Sequence, residues 1–556
     1  MFVDPTLKNA PKESEPPVPL ARQWCAEGVS GAKGCMLKKV PALVAAAVSA
    51  VLVLTMGGPA TSAGVVGTDD GSSYAASPVQ TAAPDRGQGH GGGNGGGNNA
   101  GHNAGHNAGH GSGPGRYKVP TGAYFNNPRG SWYDRMRIER QVMHAIKATK
   151  KGAVIRIALY SFDRIPVAKA LIAARQRGVH IQLLLNDHQD SKAMKMLRAV
   201  LGTNVEKRDF IYKCHSGCRT DNRKRFLHTK FYTFTKAGGS KWALFFGSAN
   251  LTMNAMRHQW NDLYLMDGDK ELFQQYVALF DDMKKDYETA QDPFPDFCGI
   301  PANGASCDDA VDTGTTVTFP DLLGPLNDPV VKVLNRVQCI TVTADGKRVR
   351  TRLAVNMHTI RGRRGDYLAD AYRRKFAEGC AARFSFGLVG ARTKGHLGAM
   401  TVRGRLPLRS TGFDYHPDSD PVPNPDGKVD LSLDYYSHQK ILIIQGNYAG
   451  DPHANLVFTG SSNWGALGAV NDEIMVNVVG KKVAKQYLRQ FNFEWRPGNS
   501  RNAYTTSYTH FRVPVVRMGP DGSKVVTYRT VRRKHVTVDP RLVYRTDRLG
   551  PFWEGD

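Results

Sequence analysis

Two short segments of this 556-residue chain place a histidine and a lysine two residues apart: His228-Thr229-Lys230 and His438-Gln439-Lys440. Each is followed, after an apolar run and a polar turn, by Gly-Ser-x-Asn. The first copy reads Gly247-Ser248-Ala249-Asn250 and the second Gly460-Ser461-Ser462-Asn463. An imidazole is both a competent nucleophile and a competent acid near neutral pH. Lysine and asparagine can hold nonbridging phosphate oxygens while charge develops on them. Two histidines on opposite sides of phosphorus allow in-line displacement, one attacking and the other protonating the leaving oxygen. A single His-x-Lys carries little meaning. Two, each with its own Gly-Ser-x-Asn, point to phosphodiester chemistry.

Such side chains need elements that aim them. Residues i and i+2 of a strand share a face, so His228 and Lys230 are expected to project together, as are His438 and Lys440. Phe231 and Ile441 would point the other way. The next strand should return antiparallel and deliver Gly-Ser-x-Asn to the same end, glycine permitting a tight turn. Upstream, 154–160 reads as a buried strand, 165–177 as an amphipathic helix stopped by Gly178, and 179–185 as a second strand. Strand, helix, strand at this spacing predicts a parallel-sheet unit. The order returns as strand 352–356, helix 366–378 and strand 381–388. His228 and His438 lie 210 residues apart, Asn250 and Asn463 213, and Asn261-Asp262 and Asn471-Asp472 210. Each Asn-Asp precedes a strand and then a helix, 270–283 and 482–493. The chain therefore reads as an internally duplicated α/β fold.

On these motifs the chain resembles the phospholipase D superfamily over about 117–495. The resemblance implies two α/β halves packed about a pseudo-two-fold axis, and a two-step reaction through a phosphohistidine with no cofactor and no metal. It implies His228 as nucleophile and His438 as general acid. Lys230, Lys440, Asn250 and Asn463 would bind the phosphate, with Ser248 and Ser461 assisting. Glu473 fits the acidic residue that orients a histidine. The first copy has Leu263 at that place, which leaves Asp262 as a nearby stand-in. One departure is clear. The family has Asp five residues after the Lys, where this chain has Thr235 and Gln445; tyrosyl-DNA phosphodiesterases are similar in lacking it.

The remaining sequence bounds the setting. Net charge is +25. Residues 1–115 hold seven Lys/Arg and seven Asp/Glu, so the excess lies in 116–556, a balance that favours anionic partners. Lys38-Lys39, the apolar run 40–56 and Thr61-Ser62-Ala63 read as an export signal, with an uncleaved membrane anchor as the alternative. The expected organisation is a targeting segment 1–63, a Gly/Asn/His-rich linker 64–115, halves 116–300 and 320–495, and a basic extension 496–556. The linker contains His102, His106 and His110 and is too polar to bury a core. Six cysteines follow residue 63 and read as disulfides, nearest neighbours being Cys214/Cys218, Cys298/Cys307 and Cys339/Cys380. His188 and His258 read as local hydrogen-bonders, and Trp242, Trp260 and Trp464 as packing, with Trp464 placed to line a pocket. Residues 414–434 hold six Asp and one Lys just before His438. An acidic loop there would repel long nucleic acid and accept a cationic headgroup. The expected reading is a secreted, monomeric phospholipase D that touches membranes transiently. A secreted nuclease and a non-catalytic binder of anionic surfaces are the alternatives.

Overall fold

The computed structural model describes residues 117–187, 190–219, 225–289, 291, 297–298, 314–317, 324–412 and 434–544. The proposed targeting segment and linker, His188, Cys307 and nearly all of the acidic 414–434 stretch lie outside the described residues.

The first sheet contains seven strands: β1 (Gly122–Phe125), β2 (Val154–Leu159), β3 (His180–Leu185), β4 (Phe210–Lys213), β5 (Phe231–Ala237), β6 (Ser240–Gly247) and, after the two-residue β7 (Gln259–Trp260), β8 (Asp262–Met266). Their order is β1-β8-β6-β5-β2-β3-β4. Strands β2 and β3 pair in parallel, joined by helix α1 (Ile165–Gln176), as the strand–helix–strand pattern requires. Pro166 sits in the first turn of that helix, where its missing N–H costs no helix bond.

The second sheet repeats this arrangement. Its strands include β9 (Gly314–Val317), β10 (Arg352–Ile360), β11 (Ala381–Gly390), β12 (Leu408–Ser410), β14 (Lys440–Tyr448), β15 (Asp451–Gly460) and β16 (Ile474–Val479), with the short β13 (Tyr436–Ser437) outside it. The order β9-β16-β15-β14-β10-β11-β12 matches the first sheet strand for strand. Buried residues of both sheets, including Phe231, Phe246, Ile441 and Val457, share one apolar cluster with Tyr276 and Tyr487. Those tyrosines come from helices α2 (Lys270–Met283) and α3 (Lys481–Trp495), and Asp269 caps the first by accepting from the Leu272 N–H at 2.9 Å.

Two expectations change. The His-x-Lys residues do not lie inside strands β5 and β14 but run into them: β5 starts at Phe231, after Lys230, and β14 at Lys440. The helix expected from 366 begins at Gly362. The extension beyond 496 contains a hairpin, Tyr504–Met518 and Lys524–Val538, whose strands pair only with each other. Disulfides Cys214–Cys218 and Cys339–Cys380 are present as expected. No helix among the described residues is long and apolar enough to cross a membrane.

Candidate active site

Each His-x-Lys segment is tied to the other sheet's Asn-Asp segment. The His228 N–H donates to the Asp472 carbonyl at 3.1 Å, and the His438 N–H donates to the Trp260 carbonyl at 2.9 Å. Leu227 forms a parallel bridge with Asp472, and β13 pairs in parallel with β7. Each copy therefore supplies one histidine and fixes the backbone of the other.

The side chains repeat the exchange. His228 Nδ1 lies 2.8 Å from Glu473 Oε1, and His438 Nδ1 lies 2.9 Å from Asn261 Oδ1. An ionised carboxylate only accepts, so His228 Nδ1 is the donor. Asn261 is equally unambiguous. Its Nδ2 donates to the Ala255 carbonyl and Gln259 Oε1, which leaves Oδ1 to accept from His438 Nδ1–H. With Nδ1 donating in each ring, Nε2 is the nitrogen left to act on a substrate. His228 Nε2 has no hydrogen-bond partner among the described residues. His438 Nε2 lies 2.9 Å from Lys440 Nζ. Each lysine also donates to the carbonyl of its own histidine. All four side chains are buried.

Behind the rings lies a supporting layer. Ser248 Oγ donates to Asn261 Oδ1 at 2.9 Å, and Ser461 hydrogen-bonds Glu473. Both serines expected to assist at phosphate hydrogen-bond the residues that face the histidines. Burial raises the Glu473 carboxyl, but the His228 imidazole, Lys230 and Ser461 outweigh it and hold it below the ordinary value. The stand-in Asp262 does not reach His438. Its Oδ2 accepts from Thr459 Oγ1 at 2.6 Å and from the Tyr487 hydroxyl at 2.9 Å, and burial raises its carboxyl. The residue facing the second histidine is Asn261, one position earlier and uncharged.

Asn250 and Asn463 are both buried, beside their glycines' strand ends. Asn463 Oδ1 accepts from the Thr359 N–H at 3.2 Å. The glycines of the motif are required by close approach. A Cβ on Gly247 would sit 2.4 Å from the Asp262 carbonyl oxygen, and one on Gly460 2.2 Å from that of Ile474. Thr235 and Gln445, where the family Asp was expected, tie strands together away from the rings: Thr235 Oγ1 accepts from the Val154 N–H and Gln445 Nε2 donates to Asn455 Oδ1.

Two site residues escaped the sequence reading. The His358 ring lies 4.6 Å from His438, with Nδ1 at 3.2 Å from the Ser437 carbonyl, and Tyr160 packs edge-on at 5.0 Å from His228. Tyr160 Oη and His358 occupy matching places, each two residues past the residue that pairs with Phe231 or Ile441. The common offset from the two strand starts was the available signal. Beneath the second motif, Asn356 Nδ2 lies 2.7–3.1 Å from Ser437 Oγ, Gln439 Oε1 and Glu494 Oε2, its two N–H groups shared among them. Burial pushes the Glu494 carboxyl up to about 7. His258, expected to bond locally, instead hydrogen-bonds the Asp434 carbonyl 176 residues away, and Trp464 packs against Phe384 and Tyr372. No group of metal-ligating side chains occurs among the described residues.

Residues 142–284 match the family model described as cardiolipin synthase, PLD-like domain. No curated protein matches the chain. Among solved structures, phosphatidylserine synthase from Haemophilus influenzae is similar at 10% identity and TM-score 0.42, over 68% of this chain and 87% of that one. The phospholipase D family member Nuc from Salmonella typhimurium is similar at 18% identity and TM-score 0.23, over 30% and 94%. Polyphosphate kinase from Porphyromonas gingivalis is similar at 13% identity and TM-score 0.41, over 67% of this chain and half the length of that protein.

Proposed function

We propose that this chain, whose residues 142–284 match a PLD-like domain, is an exported phosphodiesterase of the phospholipase D type that hydrolyses phospholipid headgroup phosphodiesters through a phosphohistidine on His228. The observation that carries the reading is the unequal pairing of the two histidines. His228 faces a buried carboxylate and His438 a neutral amide. A nucleophile whose ring gains positive charge on phosphorylation is stabilised by Glu473. A general acid must release its proton, and an uncharged partner leaves it freer to do so.

In the first step, His228 Nε2 attacks phosphorus and the bond to the leaving oxygen breaks as His438 delivers a proton to it. Lys230, Lys440, Asn250 and Asn463 hold the nonbridging oxygens. An arriving phosphate draws Lys440 Nζ off His438 Nε2, which then takes up the proton it will donate. In the second step, His438 removes a proton from water, the water oxygen attacks phosphorus, and the P–N bond breaks to restore His228. The two halves would lie about a pseudo-two-fold axis, a view supported by the matching strand orders.

The charge excess in 116–556 favours a second reading, a nuclease with the same chemistry. Incubation in EDTA with phosphatidylcholine vesicles and, separately, plasmid DNA separates the two. Phosphatidic acid supports the first and nicked DNA the second. Labelled substrate should leave acid-labile phosphate on His228; label on His438, or none with turnover intact, sinks the mechanism.

A further inference from the structure

Strands β17 (Tyr504–Met518) and β18 (Lys524–Val538) form a two-stranded ribbon, paired in unbroken register from Tyr504↔Val538 to Met518↔Lys524. At the strand rise this arm extends about 50 Å. Its root is fixed. Just before it, Arg501–Asn502 pairs with β12, and just after it Val543–Tyr544 pairs with β11. Ala503, Val538 and Leu542 are buried in the second core. Beyond the root both faces are open, and neither long edge is covered by another strand.

An isolated ribbon with two open faces and two open edges gains little from water and invites a partner. Three kinds of side chain are exposed along it. The distal end carries Val516, Met518, Val525 and Val526, each 47–65% exposed, with Arg517 and Lys524 interleaved among them. Tyr528 and Tyr508 follow, with Arg512 stacked over the first ring at 4.9 Å and Arg532 over the second at 3.6 Å. Arg529, Arg533 and Lys534 lie nearer the root. The arm holds seven Lys/Arg against one Asp.

We propose that this ribbon is a membrane-docking arm whose aliphatic end enters the interface of an anionic lipid bilayer. The arm combines the three kinds of group such a surface takes up, its aliphatic side chains concentrated at the distal end beside Arg517 and Lys524. Aliphatic groups meet the acyl boundary, tyrosines sit at headgroup depth, and Arg and Lys meet lipid phosphates. A nucleic-acid groove would engage the cations but leaves four exposed aliphatic side chains without a partner. The arm goes beyond the catalytic reading, because docking needs no turnover.

The test is flotation of the full chain with vesicles of phosphatidylcholine alone or with about 30 mol% phosphatidylglycerol. Two variants are compared: V516S/M518S/V525S/V526S, and R529Q/R532Q/R533Q/K534Q. All altered side chains are solvent-facing, and an unchanged melting curve and circular dichroism spectrum establish that each variant is folded. Binding should require the anionic lipid and weaken as salt rises from about 0.1 to 0.5 M. Each variant should bind about tenfold or more weakly. The proposal is overturned by wild-type protein that does not float with anionic vesicles, by an aliphatic variant that floats like wild type, or by a ribbon that instead binds duplex DNA with its aliphatic residues dispensable. A His228→Ala protein should float like wild type, which keeps this test separate from the fate of the catalytic reading.

Discussion

Replacing Glu473 by Gln tests the unequal pairing directly. Gln is nearly isosteric and can still accept from His228 Nδ1–H with its amide oxygen, so the tautomer survives and only the charge goes. The carboxylate oxygen is 2.8 Å from Nδ1, and both side chains are fully buried. A hydrogen bond to a charged group contributes about 1.5–3 kcal/mol against about 1 for a neutral one. In the transition state the ring gains positive charge. For charge centres about 4 Å apart at an effective dielectric constant near 20, the attraction is about 4 kcal/mol. Part of that is already present before attack, so the differential loss should be about 2–3 kcal/mol, or about 30- to 150-fold in phosphoenzyme formation. Single-turnover quench with a labelled or chromogenic phosphodiester measures that step. Asn261→Ala is the companion, with no charge to lose, and should slow the same step less. A Glu473→Gln protein that phosphorylates within about threefold of wild type would refute the argument that the buried carboxylate assists attack.

Other outcomes follow from the same geometry. His438→Ala should slow cleavage of an alkyl phosphodiester by about 10²–10⁴-fold but spare an activated aryl substrate, whose leaving group needs no proton; equal losses on both would remove His438 from the acid role. Glu494 is raised from 4.5 to about 7 by burial, so its stabilising contribution is full below about pH 4.5 and is lost as pH rises through about 7. That difference is about 3 kcal/mol, and Glu494→Gln should flatten the fall in Tm between about pH 5 and 8, as measured by thermal melts across that range. Cys339–Cys380 closes a 41-residue separation. Its reduction should lower stability by about 4 kcal/mol in denaturant titrations, and an unchanged midpoint would count against a stabilising role for this bridge.

The nature of the site was legible in the sequence because its chemistry sits in local patterns. His228/Lys230 and His438/Lys440 need only two-residue spacing. Their following Gly-Ser-x-Asn motifs are contiguous, and the 210-residue offset of the histidines recurs at Asn261 and Asn471. Strand and helix periodicity likewise located β2, α1 and β3 to within a residue or so, since burial on one face imposes that period. The partner of each histidine was not legible as geometry. Glu473 was flagged by resemblance, yet that it serves the other copy's histidine depends on two segments 245 residues apart meeting across the sheets. The resemblance calls for an acidic residue facing the second histidine, which points to Asp262 and passes over its neighbour Asn261. Only the packed structure turns Asp262 toward Thr459 and Tyr487, and sets the Asn261 amide by its donors to Ala255 and Gln259. The hydrogen bonds of Ser248 and Ser461 to Asn261 and Glu473 were not legible for the same reason: a hydroxyl's partner is decided by what folds against it. Residue types and spacing are properties of the chain. Which side chain faces which is a property of the tertiary contact, where long-range packing overrides proximity in sequence.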